Sequence, residues 1–134
     1  YLAPGEIKHL EVARAGSRGL RCVLRDGDLE TGHRPSVDRL FGSVAKVVGQ
    51  NALGILLTGI REDGARSLLA MAQAGAYTIA QDQASCVVFG MPRAAIALGA
   101  AQSILPLDKI AHELFPAAEK VTLSEPRDHL RNIA

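Results

Sequence analysis

The chain has 134 residues, enough for one hydrophobic core and too few for two comfortable domains. Apolar residues make up 48% and charged residues 22%, an ordinary globular balance, and no apolar run approaches the roughly 20 residues of a membrane span. A formal net charge of +1, with scattered Lys and Arg and few aromatic residues, offers no footprint for nucleic acid or a membrane surface.

Tyr1-Leu2-Ala3, stopped by Pro4-Gly5, reads as the end of a strand, an odd place for a natural domain to start. No charged-then-apolar leader opens the chain, so a cytoplasmic home is the expectation. His9 to Ala13 and Leu20 to Leu24 alternate apolar and polar residues around the turn-rich stretch 15–19. They predict an antiparallel hairpin, half buried and at a sheet edge. A polar connection follows from Asp26 to Pro35. Ser36 then caps a helix whose inward face carries Val37, Leu40, Phe41, Val44 and Val48, and Gly49 closes it.

The short apolar run Leu53 to Leu57 suits a strand buried on both faces. It breaks at Thr58-Gly59, and Asp63-Gly64 opens a helix with Ala65, Leu68, Leu69 and Ala72. Gly75 ends that helix and Tyr77 to Ala80 forms the next strand, which makes a right-handed βαβ unit. A loop runs from Asp82 to Met91, then Pro92 starts a short helix over 93–98. Ser103 to Leu105 is a further strand and Leu107 to Phe115 a further helix, with Ile110 and Leu114 inward. The expected fold is α/β, doubly wound, with a mainly parallel sheet, helices on both faces and the antiparallel hairpin at the edge. Residues 1–116 form the folded portion and 117–134 a polar C-terminal tail, with Ser124-Glu125-Pro126 a start for a last helix.

In open parallel sheets ligands bind beyond the C-terminal strand ends, which singles out 57–64. Asp63 is there either the N-cap of its own helix or an orienting carboxylate for a catalytic base. His33 and Ser36, three residues apart, are the one internal pair that Asp63 could complete as a triad; a capping role for Ser36 and a loop role for His33 compete with it. His9, His112 and His129 are more poorly placed. No GxSxG elbow, phosphate-cradling glycine pattern or metal-ligand spacing is present, so neither cofactor nor metal is expected. Cys22 and Cys86 lie far apart without CxxC spacing and read as free, buried thiols.

Three stretches combine in order: Tyr1 to Gly5 with Lys8-His9; His33-Arg34-Pro35-Ser36-Val37-Asp38; and Leu57-Thr58-Gly59 with Asp63-Gly64-Ala65. With Ala74-Gly75-Ala76 through Gln81 and the run Ala84 to Pro92, they closely resemble the catalytic domain of the CheB-type chemotaxis protein-glutamate methylesterases. The resemblance covers roughly residues 1 to 115. It implies a serine hydrolase that removes methyl esters from glutamyl side chains of chemoreceptor cytoplasmic helices and often deamidates glutamines there. It makes Asp63 the triad acid and gives the backbone N–H of Ile60, where the family has Met, to the oxyanion hole. Thr58, Gly59, Phe89, Gly90 and Met91 then line the substrate cleft, while Cys86, Val87 and Val88 serve as wall and packing.

Two departures stand out. The family's Ser and His belong to sequence ahead of Tyr1, so the chain reads as a C-terminal fragment, inactive alone, with or without a response-regulator domain further upstream. Arg61 replaces a common Gly and could pair with Asp63 in competition with the imidazole. The alternative is a non-catalytic module that docks on receptors or a partner domain. Sheet edges left uncovered would favour oligomers or strand exchange.

Overall fold

The computed structural model describes residues 1–5, 7–17 and 19–123, with 117–123 described through the backbone alone. The order is β1 (His9–Ala15), β2 (Gly19–Arg25), α1 (Val37–Val47), a 3-10 turn (Gly49–Asn51), β3 (Leu53–Leu56), α2 (Ala65–Gln73), β4 (Tyr77–Gln81), α3 (Met91–Ala97), β5 (Ser103–Leu105) and α4 (Leu107–Leu123). Strands β3, β4 and β5 form a parallel sheet in that order, with Leu53 beside Tyr77 and Ile79 beside Ser103.

The pleat sorts the helices onto two faces. Gly54, Leu56 and Thr78 point toward α2 and α3: Leu56 packs with Ala65, Leu68, Ala95 and Ala100, and the Thr78 hydroxyl donates to the Ala100 carbonyl at 2.7 Å. Tyr77 points the other way, where its hydroxyl reaches Glu113 of α4 at 3.4 Å. The sheet is therefore doubly wound, as the alternation of strand and helix patterns implied. A second cluster of Ala52, Met71 and Ala76 packs under Phe41, Val44, Ala45 and Val48. Phe41 touches both clusters, so α1 closes the α2 side of the core.

Three expectations are corrected. The hairpin is its own two-stranded sheet with His9 paired to Arg25, and it packs on α1 instead of extending the parallel sheet. A side chain anchors it there: the Val12 N–H donates to Ser43 Oγ of α1 at 2.8 Å. Tyr1 to Ala3 form no strand, and Tyr1 and Leu2 are fully exposed. Helix α4 continues through Pro116 to Leu123 instead of stopping at Phe115; proline removes one amide donor but does not end the backbone path here. The last-helix reading at Ser124 lies outside the described residues.

One glycine fixes how α1 and α2 meet. Gly64 caps α2 with a φ of 90°, and a Cβ there would stand 2.6 Å from Val37 Cγ1 and 3.0 Å from Leu56 Cδ1. Gly64→Ala is expected to cost about 2–4 kcal/mol, from left-handed strain plus overpacking. A denaturation midpoint unchanged by that substitution would refute the close approach.

Candidate active site at the start of α1 and α2

Four backbone donors at the start of α1 have no partner within the helix. Each finds one elsewhere. The Ser36 N–H donates to His9 Nδ1 at 3.3 Å, and the Arg39 N–H donates to Ser36 Oγ at 3.4 Å. The Val37 N–H donates to Asp63 Oδ2 at 2.7 Å and the Asp38 N–H to Asp63 Oδ1 at 3.1 Å. Asp63 thus caps the neighbouring helix and not its own, whose N-cap is Gly64. The exchange is reciprocal: Asp38 Oδ1 accepts from the Ser67 N–H at 3.0 Å and the Ser67 hydroxyl at 2.6 Å in the first turn of α2.

Two hydroxyls complete the carboxylate's surroundings. Ser36 Oγ donates to Asp63 Oδ1 at 2.7 Å, and Thr31 Oγ1 lies 2.9 Å from the same oxygen. Asp63 is 4% exposed. Burial alone would raise its pKa; the bonds from Val37, Ser36, Asp38 and Thr31 outweigh it and hold the carboxyl below its ordinary value. Oδ1 is saturated by three donors, whereas Oδ2 has one, so the spare acceptor capacity of the group lies on Oδ2. Arg61 is not among the partners, so the competition expected from it does not arise within the described residues.

The internal triad is not assembled. Ser36 is bonded to the carboxylate directly, without an imidazole between them, and His33 Nε2 is buried with no partner among the described residues. His9 is instead a buried pin. With Nδ1 accepting from Ser36, Nε2 must donate to the Asp28 carbonyl 2.8 Å away.

Beyond β3 the chain runs beside the loop before α3. Thr58 Oγ1 accepts from the Val88 N–H at 2.8 Å, and the Gly59 N–H donates to the Val88 carbonyl at 3.0 Å. The Gly59 carbonyl then accepts from Gly90 and Met91 at 3.1 and 3.0 Å, and Gly59 bridges Phe89 in parallel fashion. Two glycines permit this crossing. A Cβ on Gly59 would collide with the Met91 sulfur, and one on Gly90 would stand 2.6 Å from the Gly59 carbonyl oxygen. Thr58, Gly59, Phe89, Gly90 and Met91 are therefore brought together, with the Thr58 hydroxyl occupied by the loop. Ile60, 65% exposed, keeps an N–H without a partner among the described residues.

The wall residues differ from expectation. Val87 is 90% and Val88 43% exposed, and the backbone of Val88 carries the crossing. Cys22 and Cys86 are half-buried, free thiols. Burial and the nearby Asp82 charge push the Cys86 thiol up against a weaker hydrogen bond with Thr58, so it is a poor nucleophile. Among the described residues no three His, Cys, Asp or Glu side chains gather as a metal site would require. Sequence reading missed Thr31 and Asp38 as partners of this corner; the nearness of Ser36 and Asp38 in one quoted stretch was the available signal.

Replacing Asp63 by Ala unsatisfies two buried N–H groups and is expected to cost roughly 2–4 kcal/mol at neutral pH. Because the folded pKa is depressed, this stabilisation is complete above the unfolded carboxylate value of about 3.9 and is lost as pH falls through the lower folded value. Urea titrations of wild type and Asp63→Ala should therefore converge in strong acid; a gap that persists there would contradict a charged cap.

The family model described as CheB methylesterase matches residues 1–114. The chain is 58% identical over 114 residues to protein-glutamate methylesterase/protein-glutamine glutaminase 3 of Leptospira interrogans, covering 85% of this chain and 32% of that protein. It is 52% identical over 114 residues to the protein-glutamate methylesterase/protein-glutamine glutaminase of Salmonella typhimurium, with the same coverage of 85% and 32%. The chain thus spans about a third of the length of the curated relatives it matches. The crystal structure of the Thermotoga maritima CheB methylesterase catalytic domain superposes with a TM-score of 0.77 at 31% identity, over 81% of this chain and 57% of that one. With a family model spanning its first 114 residues and relatives at this identity, the chain belongs to the CheB methylesterase family.

Proposed function

We propose that the chain supplies the acid side of a serine-type protein-glutamate methylesterase acting on methylated chemoreceptor helices. The observation that carries this reading is the buried, charged Asp63 with acceptor capacity left on Oδ2, near the N–H of Ile60, which has no partner among the described residues. An imidazole donating to Oδ2 would be held in one tautomer and stabilised as imidazolium while a serine attacks the ester carbonyl. The Ile60 N–H would donate to the developing oxyanion; a backbone role tolerates Ile where relatives of this kind have Met. Water then releases the glutamyl carboxylate after methanol has left. The attacking serine and the imidazole come from sequence outside these residues, so the 134 residues alone are inactive. The folded unit of the proposal is 1–116, working in the cytoplasm, and the relatives' names make glutamine deamidation a companion activity.

Two measurements test it. In the full-length protein, Asp63→Asn should lower kcat for methanol release from methylated receptor by about 10³–10⁴ with little change in KM. The comparison is made on protein whose circular dichroism confirms folding, since the Asn amide would face the Val37 N–H. Wild-type rates in that variant, or methanol released by the 134 residues alone, would refute the assignment. A full-length protein that binds receptor without releasing methanol would instead establish a docking module.

A further inference from the structure

Two arginines and one glutamate stand beside the same corner of the fold. A recess of about 400 Å³ is lined by Thr31, Arg61, Glu62, Gly90, Arg93 and Ala94. It adjoins the site through two residues: Thr31 also bonds Asp63, and Arg61 directly follows Ile60. Neither guanidinium forms a hydrogen bond or ion pair with a described residue, although Glu62 shares the lining.

The backbone of Arg61 is held in an unusual conformation. Its φ is 65°, a left-handed conformation that costs a residue with a Cβ about 1–2 kcal/mol. Its backbone is wedged against Gly90, where a Cβ would stand 2.9 Å from both Arg61 N and Arg61 O. Its tip lies over Gly32 of the Thr31 turn, where a Cβ would stand 3.0 Å from Nη1. The backbone of Arg61 is held while its guanidinium bonds no described residue, so the fork is open, and a carboxylate fits that fork with two parallel bonds. Two arginines against one glutamate leave a formal charge of +1 in the lining, which suits a monoanion better than a phosphate dianion.

We propose that this recess is a carboxylate subsite, in which Arg61, with Arg93, takes an acidic side chain of the protein segment that presents the reacting glutamyl group. The identity of that segment rests on the methylesterase reading; the carboxylate site itself does not. The subsite selects segments whose acidic residue lies at the right reach from the ester, and its charge speeds their encounter.

The test is a binding titration of full-length protein by fluorescence anisotropy. One labelled helical peptide carries glutamates flanking a central glutamine; a second has those glutamates replaced by glutamine; a third has them replaced by lysine. Wild type should bind the first about tenfold more tightly than the second. Arg61→Glu should erase that preference and bind the third peptide more tightly than wild type does. Arg61→Gly, which suits the left-handed backbone and guards against misfolding of the charge reversal, should weaken the preference. Equal binding of the first two peptides by wild type, no detectable binding of either, or a preference untouched by both substitutions would overturn the subsite. Methanol release from methylated receptor is measured in parallel. An acidic preference that depends on Arg61 in a protein releasing no methanol would sink the methylesterase reading and leave the subsite standing.

Discussion

The start of helix α1 is the constraint on which the rest of this corner depends. Its unsatisfied N–H groups are claimed by His9, Asp63 and Ser36, and two of them by the carboxylate of Asp63 alone. Asp38 answers from α1 by capping α2. The two helices are locked start to start by an exchange of carboxylates, with Gly64 letting them approach. A buried anion would ordinarily be driven toward neutrality; here the donors that need it keep it charged. Capping and acid chemistry are therefore compatible roles of one side chain. The bonds that hold α1 in place also fix the orientation of Oδ2, which is the preorganisation an orienting acid requires.

Most elements were legible because local pattern and burial agree. The apolar run of β3, the turn at Thr58-Gly59, the α2 pattern and β4 form the expected βαβ unit, and β5 spans the expected Ser103 to Leu105. The Ser36 cap was legible as well, since capping by Ser acts over three residues. As a cap, Asp63 was readable locally only for the residues that follow it. That it caps a helix beginning at Val37 is a long-range fact, and no spacing rule within one element reports it. The hairpin's seat on α1 escaped for the same reason. Val87 and Val88 misled because apolar character argues for burial, whereas here the Val88 backbone does the joining and both side chains are exposed.

The crossing of 58–61 with 88–91 gives the site its second wall. Parallel pairing continues past the end of β3 through Gly59 and Phe89, so the rim beyond the sheet is stitched by main-chain bonds. Those main-chain bonds do not depend on the side chains of Ile60 and Arg61, which are both exposed. Gly59 and Gly90 are constrained, because their missing side chains are the space through which the other segment passes.

His9 gives the hairpin a function that packing alone would not. One imidazole nitrogen must arrive bare and the other protonated, at fixed reach, on a residue only 1% exposed. Asn is too short to span Ser36 and Asp28, and an aliphatic side chain of similar bulk would leave the Ser36 amide stranded. Strand β1 is thus keyed to the helix start by chemistry as well as shape. A residue outside the α/β layers, remote in sequence from the acid and touching no substrate in the proposed reaction, steadies the aim of that acid. Variation in the hairpin would then surface as altered chemistry at a distance and not as a defect of the hairpin itself.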